Sequence, residues 1–283
     1  MAARDGRVRD DRVLRSTRLL SGFIAPFLIV AFVVLYVFPS DTERLFAWTI
    51  RPTLTPMVLA SAYLGGFWFF VRALWERRWT SLHLGFVAVA LFASLLGVAT
   101  ILHWDRFAHE HVAFWLWAGL YFTAPFLVVL SCVANSRYAS RPLPDERRLG
   151  PAARGVVAVV GLAALVTGLV MFVTPPSMIA VWPWDLTPLT CRVVGAIFCL
   201  GAAGLGAVFD ARWITLRLMT QVEVVMVALM LVGAARAPGE FHTDRPLTWV
   251  MLVGFVAVLF GSALLYHVQE RRTREPGSGP GGR

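Results

Sequence analysis

The sequence is poor in charge and in cysteine, and both shortages restrict the class of protein. Charged residues make up 15% of the chain and hydrophobic residues 58%, a balance outside that of soluble globular domains. All three cysteines, Cys132, Cys191 and Cys199, fall inside apolar runs, which argues against a disulfide framework or a zinc ribbon. Lysine is absent, so all 26 basic residues are arginine. These features predict an integral membrane protein whose cysteines are packing residues.

Several familiar signatures are also missing. The basic N-terminal segment precedes a full-length apolar run without a small-residue cleavage site, so that run is interpreted as a retained anchor. Strand-like alternation is absent and the apolar runs are too long for barrel strands. No Walker, haem-copper, zincin or hydrolase motif occurs. The net charge of +9 comes from dispersed arginines rather than a basic module, so no nucleic-acid partner is predicted.

Eight apolar runs fill most of the chain, and each is long enough for one helical crossing. A hydrocarbon core of roughly 30 Å needs about 20 apolar residues per helix. We therefore predict an all-α fold, a polytopic helical bundle surrounded by the lipid bilayer. The predicted spans are 19–38, 54–75, 84–102, 112–134, 155–173, 189–209, 214–234 and 247–267.

The arginines are distributed unevenly between the two sets of predicted loops. Six precede the first span, and with eight crossings most of the others fall on the same side of the membrane. Because positively charged loops mark the cytoplasmic side, we predict a plasma (inner) membrane protein with both termini in the cytoplasm. The opposite loops hold Arg44, Arg51, Arg106, Arg236 and Arg245.

The two halves of the sequence are similar to each other. A shift of 134 residues superimposes "RWTSLHL", which begins at Arg78, on "RWITLRL", which begins at Arg212. At the same offset Trp115 meets Trp249, and after a slip of two residues "LTP" at 54–56 meets "LTP" at 186–188. Two unrelated apolar segments would not share these loop residues. We therefore predict two four-helix repeats, which cross the membrane in the same direction because four is even.

Composition divides the chain into five segments. Residues 1–18 form a basic N-terminal segment, 19–134 the first four-helix repeat and 155–268 the second. A linker rich in proline and charge, 135–154, joins the repeats. The tail, 269–283, is rich in glycine and proline and is expected to be disordered. No segment remains for a soluble domain.

One carboxyl lies deep inside a predicted span. Glu223 follows Trp213 by ten residues, which places it about 15 Å below the surface at 1.5 Å per residue. A charge there costs roughly a few to more than ten kcal/mol, so we expect Glu223 to face the interior and to be protonated, paired or hydrated. Thr220 and Arg217 lie one and two turns nearer the surface. These three residues are the predicted proton, ion or ligand site; the alternative is a neutral Glu223 that hydrogen-bonds between helices.

A histidine-rich stretch, "LHWDRFAHEH", forms a loop at the opposite membrane surface. Imidazole and carboxylate groups are suitable ligands for a divalent metal, and the candidates are His103, Asp105, His109 and His111. Their spacing matches no established metal motif, and the second half does not repeat them. The alternative is an ordinary polar rim at the water interface. Apart from this divalent metal, no cofactor is predicted.

The segments "RLFAWTIRPTLTPMVLASAYLGG" and "LHWDRF" resemble uncharacterised multispan membrane proteins of bacteria. The resemblance covers the first half best and implies no activity, cofactor or partner. Three hypotheses remain open. The first, which is favoured, is a small-solute or ion-coupled transporter that uses Glu223. The others are a noncatalytic subunit or scaffold, with a second copy or another membrane protein as partner, and a metal-dependent membrane enzyme that uses the histidine cluster.

Overall fold

The computed structural model describes residues 10–139 and 146–274, and within these ranges it contains helices and no strands. Eight helices are each long and apolar enough to cross a bilayer, as in a multi-pass membrane protein. The predicted all-α class and the predicted number of spans are therefore confirmed. The helices are α1 Arg15–Val37, α2 Leu54–Trp75, α3 His83–Leu102, α4 Val112–Ser136, α5 Pro151–Val173, α6 Pro188–Phe209, α7 Trp213–Arg236 and α8 Pro246–Arg274.

Short helices occupy several of the connections. One follows α1 and another follows α5, at Thr42–Leu45 and Pro175–Ile179. Single 3-10 turns lie at Pro39–Asp41, Trp79–Ser81, Trp104–Arg106 and Pro238–Glu240. A further 3-10 turn, Cys199–Gly201, lies inside α6 and divides it into two α-helical segments.

Parts of the predicted domain organisation lie outside the described residues. These parts are 1–9 of the basic segment, 140–145 of the linker and 275–283 of the tail. Several helices extend beyond the predicted bounds. Residues 151–154, predicted as linker, begin α5, since proline is favoured at the first position of a helix. Residues 269–274, predicted as tail, continue α8, because the sequence contains no proline between Pro246 and Pro276.

Four helices form the centre of the bundle and four lie outside it. In the centre, α2 packs against α7 and α3 packs against α6. The outer helices α1, α4, α5 and α8 pack on α2, α3, α6 and α7 respectively. Burial differs among the helices. In an 18-residue apolar stretch of each, 72% of the residues are buried in α2 and 50% in α3 and α6, against 33% in α1, α4 and α7, 17% in α5 and 11% in α8. The exposed faces of α5 and α8 are apolar, which suits contact with lipid.

Glycines bring α5 and α6 unusually close together. A Cβ atom on Gly168 of α5 would lie 2.4 Å from the carbonyl oxygen of Gly195 on α6. About two helical turns away, a Cβ atom on Gly161 would lie 2.6 Å from the carbonyl oxygen of Gly201. Small residues that allow two backbones to approach are a common basis of helix association in membranes.

The two halves make the same backbone contacts at one end of the bundle. The amide of Trp79 donates to the carbonyl of Asp11 at 2.8 Å, and the amide of Trp213 donates to that of Arg147 at 2.8 Å. Each contact lies beside an isolated antiparallel bridge. We call this end the arginine face, defined by the residues of the two bridges, Arg12 with Arg78 and Arg148 with Arg212.

Matched contacts also occur at the opposite end, which we call the tryptophan face and define by Trp48, Trp104, Trp182 and Trp184. The amide of Ala108 donates to the carbonyl of Ala47 at 2.9 Å, and the amide of His242 donates to that of Pro183 at 2.7 Å. The indole of Trp115 donates to the carbonyl of His109 at 2.9 Å. The indole of Trp249 repeats this contact with the carbonyl of Thr243 at 3.1 Å.

Candidate binding cavity and its carboxyl group

A partly open cavity of about 700 Å³ lies between the helices, and all eight long helices contribute to its wall. This volume falls within the roughly 300–1,000 Å³ of pockets that bind small molecules. Most of the lining is aliphatic or aromatic, and it includes no arginine or histidine from the described parts of the chain. Few polar side chains line it, and these are Tyr63, Tyr121, Thr220, Glu223 and Ser262.

Glu223 supplies the carboxyl group of this wall. It lies on α7, and the hydroxyl of Ser262 on α8 donates a 2.7 Å hydrogen bond to its Oε2 atom. Both residues line the cavity. A hydroxyl partner leaves the second carboxyl oxygen able to receive a proton or a donor from a ligand. The carboxyl group therefore lies on the cavity wall and links α7 to α8.

The other two predicted site residues form their hydrogen bonds with groups other than Glu223. The hydroxyl of Thr220 donates to the carbonyl of Leu216 in its own helix at 3.0 Å, although Thr220 lines the cavity. Arg217 donates to Oε2 of Glu270 on α8 at 2.8 Å. The predicted polar track from Arg217 through Thr220 to Glu223 is thus not a chain of hydrogen bonds. Instead, each charged member pairs with a residue of α8.

Polar pairs of this kind continue along the interface of α7 and α8. Glu270 also accepts from the indole of Trp213 at 3.0 Å. Further into the bundle, the amide nitrogen of Gln221 donates to the hydroxyl of Tyr266 at 2.9 Å, while its oxygen accepts from the indole of Trp68 on α2 at 3.1 Å. Polar contacts therefore extend from the arginine face to Glu223.

Sequence reasoning missed the α8 side of this interface. Ser262, Tyr266 and Glu270 are spaced four residues apart, and that spacing places them on one face of a helix. The matched positions in the first half, at an offset of 134 residues, are Val128, Cys132 and Ser136. The spacing and the difference between the halves were the signals that could have identified this polar face.

The structure does not bring the histidine cluster together. His103 Nε2 lies 2.7 Å from Nη1 of Arg192, and burial together with this guanidinium lowers the pKa of His103. The ring of His109 packs against Trp104 and Phe114, with centroids 5.1 and 4.6 Å apart. Within residues 10–139 and 146–274, no three His, Cys, Asp or Glu residues form a group that could hold a metal ion.

The remaining candidates of that cluster have local partners. Asp105 lies 3.4 Å from Arg106, and His111 lies 3.9 Å from Glu110. The predicted set of His103, Asp105, His109 and His111 is therefore not assembled as a ligand sphere. The physical reason is that a 3-10 turn and aromatic packing direct these side chains to separate neighbours.

A second polar cluster, which the sequence did not predict, lies at the arginine face. The carboxylate of Asp11 accepts from Nε of Arg78 at 2.8 Å and from the amide and hydroxyl of Thr80 at 3.0 and 2.8 Å. Asp210 accepts from Nη2 of Arg212 at 2.6 Å. Burial raises the pKa of each aspartate, but hydrogen bonds from arginine and threonine outweigh it, so both pKa values lie below their usual value.

Comparison with known proteins assigns no family. No protein-family model, no curated protein and no solved structure matches this chain. Function therefore has to be inferred from the chain's own geometry.

Proposed function

We propose that this chain is a transporter of small solutes in the plasma (inner) membrane. In this proposal the cavity binds the solute, and Glu223 is the carboxyl that binds it or couples its movement to a proton or another ion. The supporting observation is that Glu223 supplies the carboxyl on the wall of a cavity lined by all eight helices. Ionisable groups inside membrane bundles commonly belong to solute or proton pathways.

The proposed architecture is a pair of parallel four-helix repeats. Its support comes from the matched backbone contacts at both faces, which join equivalent residues of α1–α4 and α5–α8. The central contacts of α2 with α7 and of α3 with α6 would then be equivalent interfaces between the repeats. Transporters built from repeats bind their solute where the repeats meet. A site between two similar halves suits a rocking motion that exposes it alternately to the two sides.

The proposed orientation places the arginine face and both termini in the cytoplasm. Its support is the excess of arginine in the loops of that face, because the distribution of positive charge in short loops sets membrane orientation. Solute entering from the opposite side would then meet the tryptophan face first.

The proposal is tested by transport in proteoliposomes that contain the purified full chain. A pH-sensitive dye inside the vesicles reports proton movement while a panel of small solutes is applied outside. We expect at least one solute to enter the vesicles that contain the wild-type chain, with or without proton movement. Glu223→Gln should lower the rate of that transport by at least about tenfold. The matched control is Glu43→Gln, because Glu43 is an exposed carboxyl with 73% of its side chain accessible. A folded Glu223→Gln protein with wild-type flux would overturn the proposal.

A noncatalytic subunit or scaffold is the second candidate, and the observation that favours it is the exposure of α8. Only 11% of the residues in its 18-residue apolar stretch are buried, which leaves a face that a second copy or another membrane protein could cover in the bilayer. Native purification followed by mass spectrometry would support this role if a partner were recovered at fixed stoichiometry. A monomer that transports solute would exclude it.

A further inference from the structure

The wall of the cavity has one acidic residue and no basic residue among the described parts of the chain. An anionic solute would therefore meet a carboxyl group and no counter-charge. A phosphate headgroup would be disfavoured for the same reason, because buried charges need an opposite charge or hydrogen-bond donors. The charge of the wall thus selects between classes of solute, and it favours a cation.

The apolar character of the wall distinguishes between kinds of cation. Aromatic side chains are among those that line the space, and the π face of an aromatic ring attracts cations electrostatically. A small hydrophilic cation would lose its hydration shell in this cavity and gain few polar partners. A cation that carries large apolar groups would fill the volume and lose little hydration. The aromatic residues of the wall include Phe69, Phe70, Phe92, Phe198 and Phe255.

We infer that the cavity binds a lipophilic organic cation, an amine or a quaternary onium, which pairs with Glu223 and displaces its proton. This inference rests on the proposed function and specifies its substrate class. In the exchange, the O–H bond of the Glu223 carboxyl breaks and its proton passes to water. The resulting carboxylate pairs with the cation without a covalent bond, so one positive charge replaces another.

Other ionisable groups near Glu223 do not take its place. Tyr63 of α2 and Tyr121 of α4 line the cavity, but their hydroxyls bond to each other at 3.1 Å. On α8, Tyr266 bonds to Gln221 and Glu270 bonds to Arg217. On α3, His83 lies outside the cavity lining, and its Nδ1 atom lies 2.9 Å from the carbonyl of Thr80. Proton exchange linked to cation binding is therefore assigned to Glu223.

The test uses two ions of nearly the same shape and opposite charge, tetraphenylphosphonium and tetraphenylborate. Each is titrated into the purified full chain in detergent, and protein-free micelles correct for partition of the probes into detergent. We expect tetraphenylphosphonium to bind the wild-type chain at least about tenfold more tightly than Glu223→Gln. We expect tetraphenylborate to show no such difference, and we expect Glu43→Gln to bind like the wild type.

A second measurement needs only the wild-type chain and so remains valid if the variant misfolds. Binding in weak buffer should release one proton per cation, and lowering the pH should weaken tetraphenylphosphonium binding by up to about tenfold per pH unit. Equal binding of both ions would overturn the substrate class, and cation binding without proton release would overturn the displacement of the Glu223 proton; both results would leave the transporter proposal standing. Failure of tetraphenylphosphonium to bind would also overturn the substrate class, whereas the proposed function would fall only if the proteoliposome assay showed no flux that depends on Glu223.

Discussion

Arg78 and Arg212 bind the two oxygens of a single carboxylate. Nη2 of Arg78 lies 2.6 Å from Oε1 of Glu146, and Nη1 of Arg212 lies 3.1 Å from Oε2 of the same residue. The two arginines occupy matched positions in the similar sequences "RWTSLHL" and "RWITLRL". Glu146, which precedes α5, therefore joins equivalent points of the two halves.

Removing this shared carboxylate should destabilise the chain. In the Glu146→Ala variant, two neighbouring guanidinium groups lose their common counter-charge, although each keeps its aspartate partner. Because Glu146 and Arg212 expose only 11% and 7% of their side chains, solvent replaces the lost contacts poorly. We expect the free energy of unfolding to fall by about 1–3 kcal/mol, measured by denaturation in detergent micelles. Asp105→Ala is the control, because the Asp105 carboxylate that pairs with Arg106 is 79% exposed. This variant should change the free energy of unfolding by less than about 0.5 kcal/mol. Equal losses would contradict the prediction.

The same cluster predicts how stability changes in acid. The pKa values of Asp11 and Asp210 lie below the ordinary value of 3.8, so the unfolded chain binds protons more readily than the folded chain. Their contribution to stability is complete above about pH 4 and is lost as the pH falls through the lower, folded pKa values. Asp11→Asn should therefore destabilise the chain near neutrality and reduce the slope of stability against pH in acid. Unfolding measured between pH 7 and pH 3 checks this, with Glu43→Gln as the exposed control. A variant whose acid slope matches the wild type would contradict it.

A carboxylate from the second half caps a helix of the first. Oε1 of Glu240 accepts from the amide of Thr53 at 2.9 Å, and its Oε2 accepts from the amide of Leu54 at 2.7 Å. Both amides lie at the start of α2, where backbone donors have no partner within the helix. Glu240→Ala should lower the free energy of unfolding by roughly 1–2 kcal/mol. Glu110→Ala is the control, because Glu110 is 75% exposed at the same face. A similar loss in both variants would argue against capping.

Sequence alone predicts the long helices well, because a run of apolar residues and a membrane crossing have the same length. The bounds of α2 are those predicted, and those of α3 differ by one residue. The match between the two "LTP" segments does not predict where the helices begin. Leu54 begins α2 at the first letter of the first "LTP", whereas Pro188 begins α6 at the last letter of the second. Three letters carry too little information to fix the register of a loop.

Of the candidate site, only Glu223 could be predicted, from its depth in a predicted membrane span. Glu223 could be selected because a carboxyl far from both surfaces is costly unless it is enclosed, protonated or paired. Its partner Ser262 follows from how α7 crosses α8, which depends on tertiary packing rather than on local sequence. The cluster of Asp11, Glu146 and Asp210 escaped prediction for a related reason. Asp11 comes from the segment before α1, whereas Glu146 and Asp210 come from two separate connections, and polar residues in such segments are ordinary at a membrane surface.

The proposed orientation predicts which loops a membrane-impermeant thiol reagent can reach. In a background with Cys132, Cys191 and Cys199 replaced by alanine, Glu43→Cys at the tryptophan face should react in intact cells. Arg77→Cys, near the arginine face, should react only after the membrane is permeabilised. Both native side chains are exposed, so burial would not explain a difference. The reverse pattern would invert the assignment and place both termini outside.

Substitution of glycine by alanine should have different effects at the contact of α5 with α6 and on the open face of α8. Gly168→Ala would place a Cβ atom 2.4 Å from one backbone atom and 2.8 Å from another on α6, so the helices must separate. We expect a loss of about 1–3 kcal/mol in the free energy of unfolding. Gly254→Ala on α8 would meet nothing within 4 Å and should be neutral or stabilising by up to about 1 kcal/mol, since alanine favours helix more than glycine. Thermal unfolding of the two variants in one detergent compares them directly, and a neutral Gly168→Ala would mean that the close approach of α5 and α6 is not required for folding.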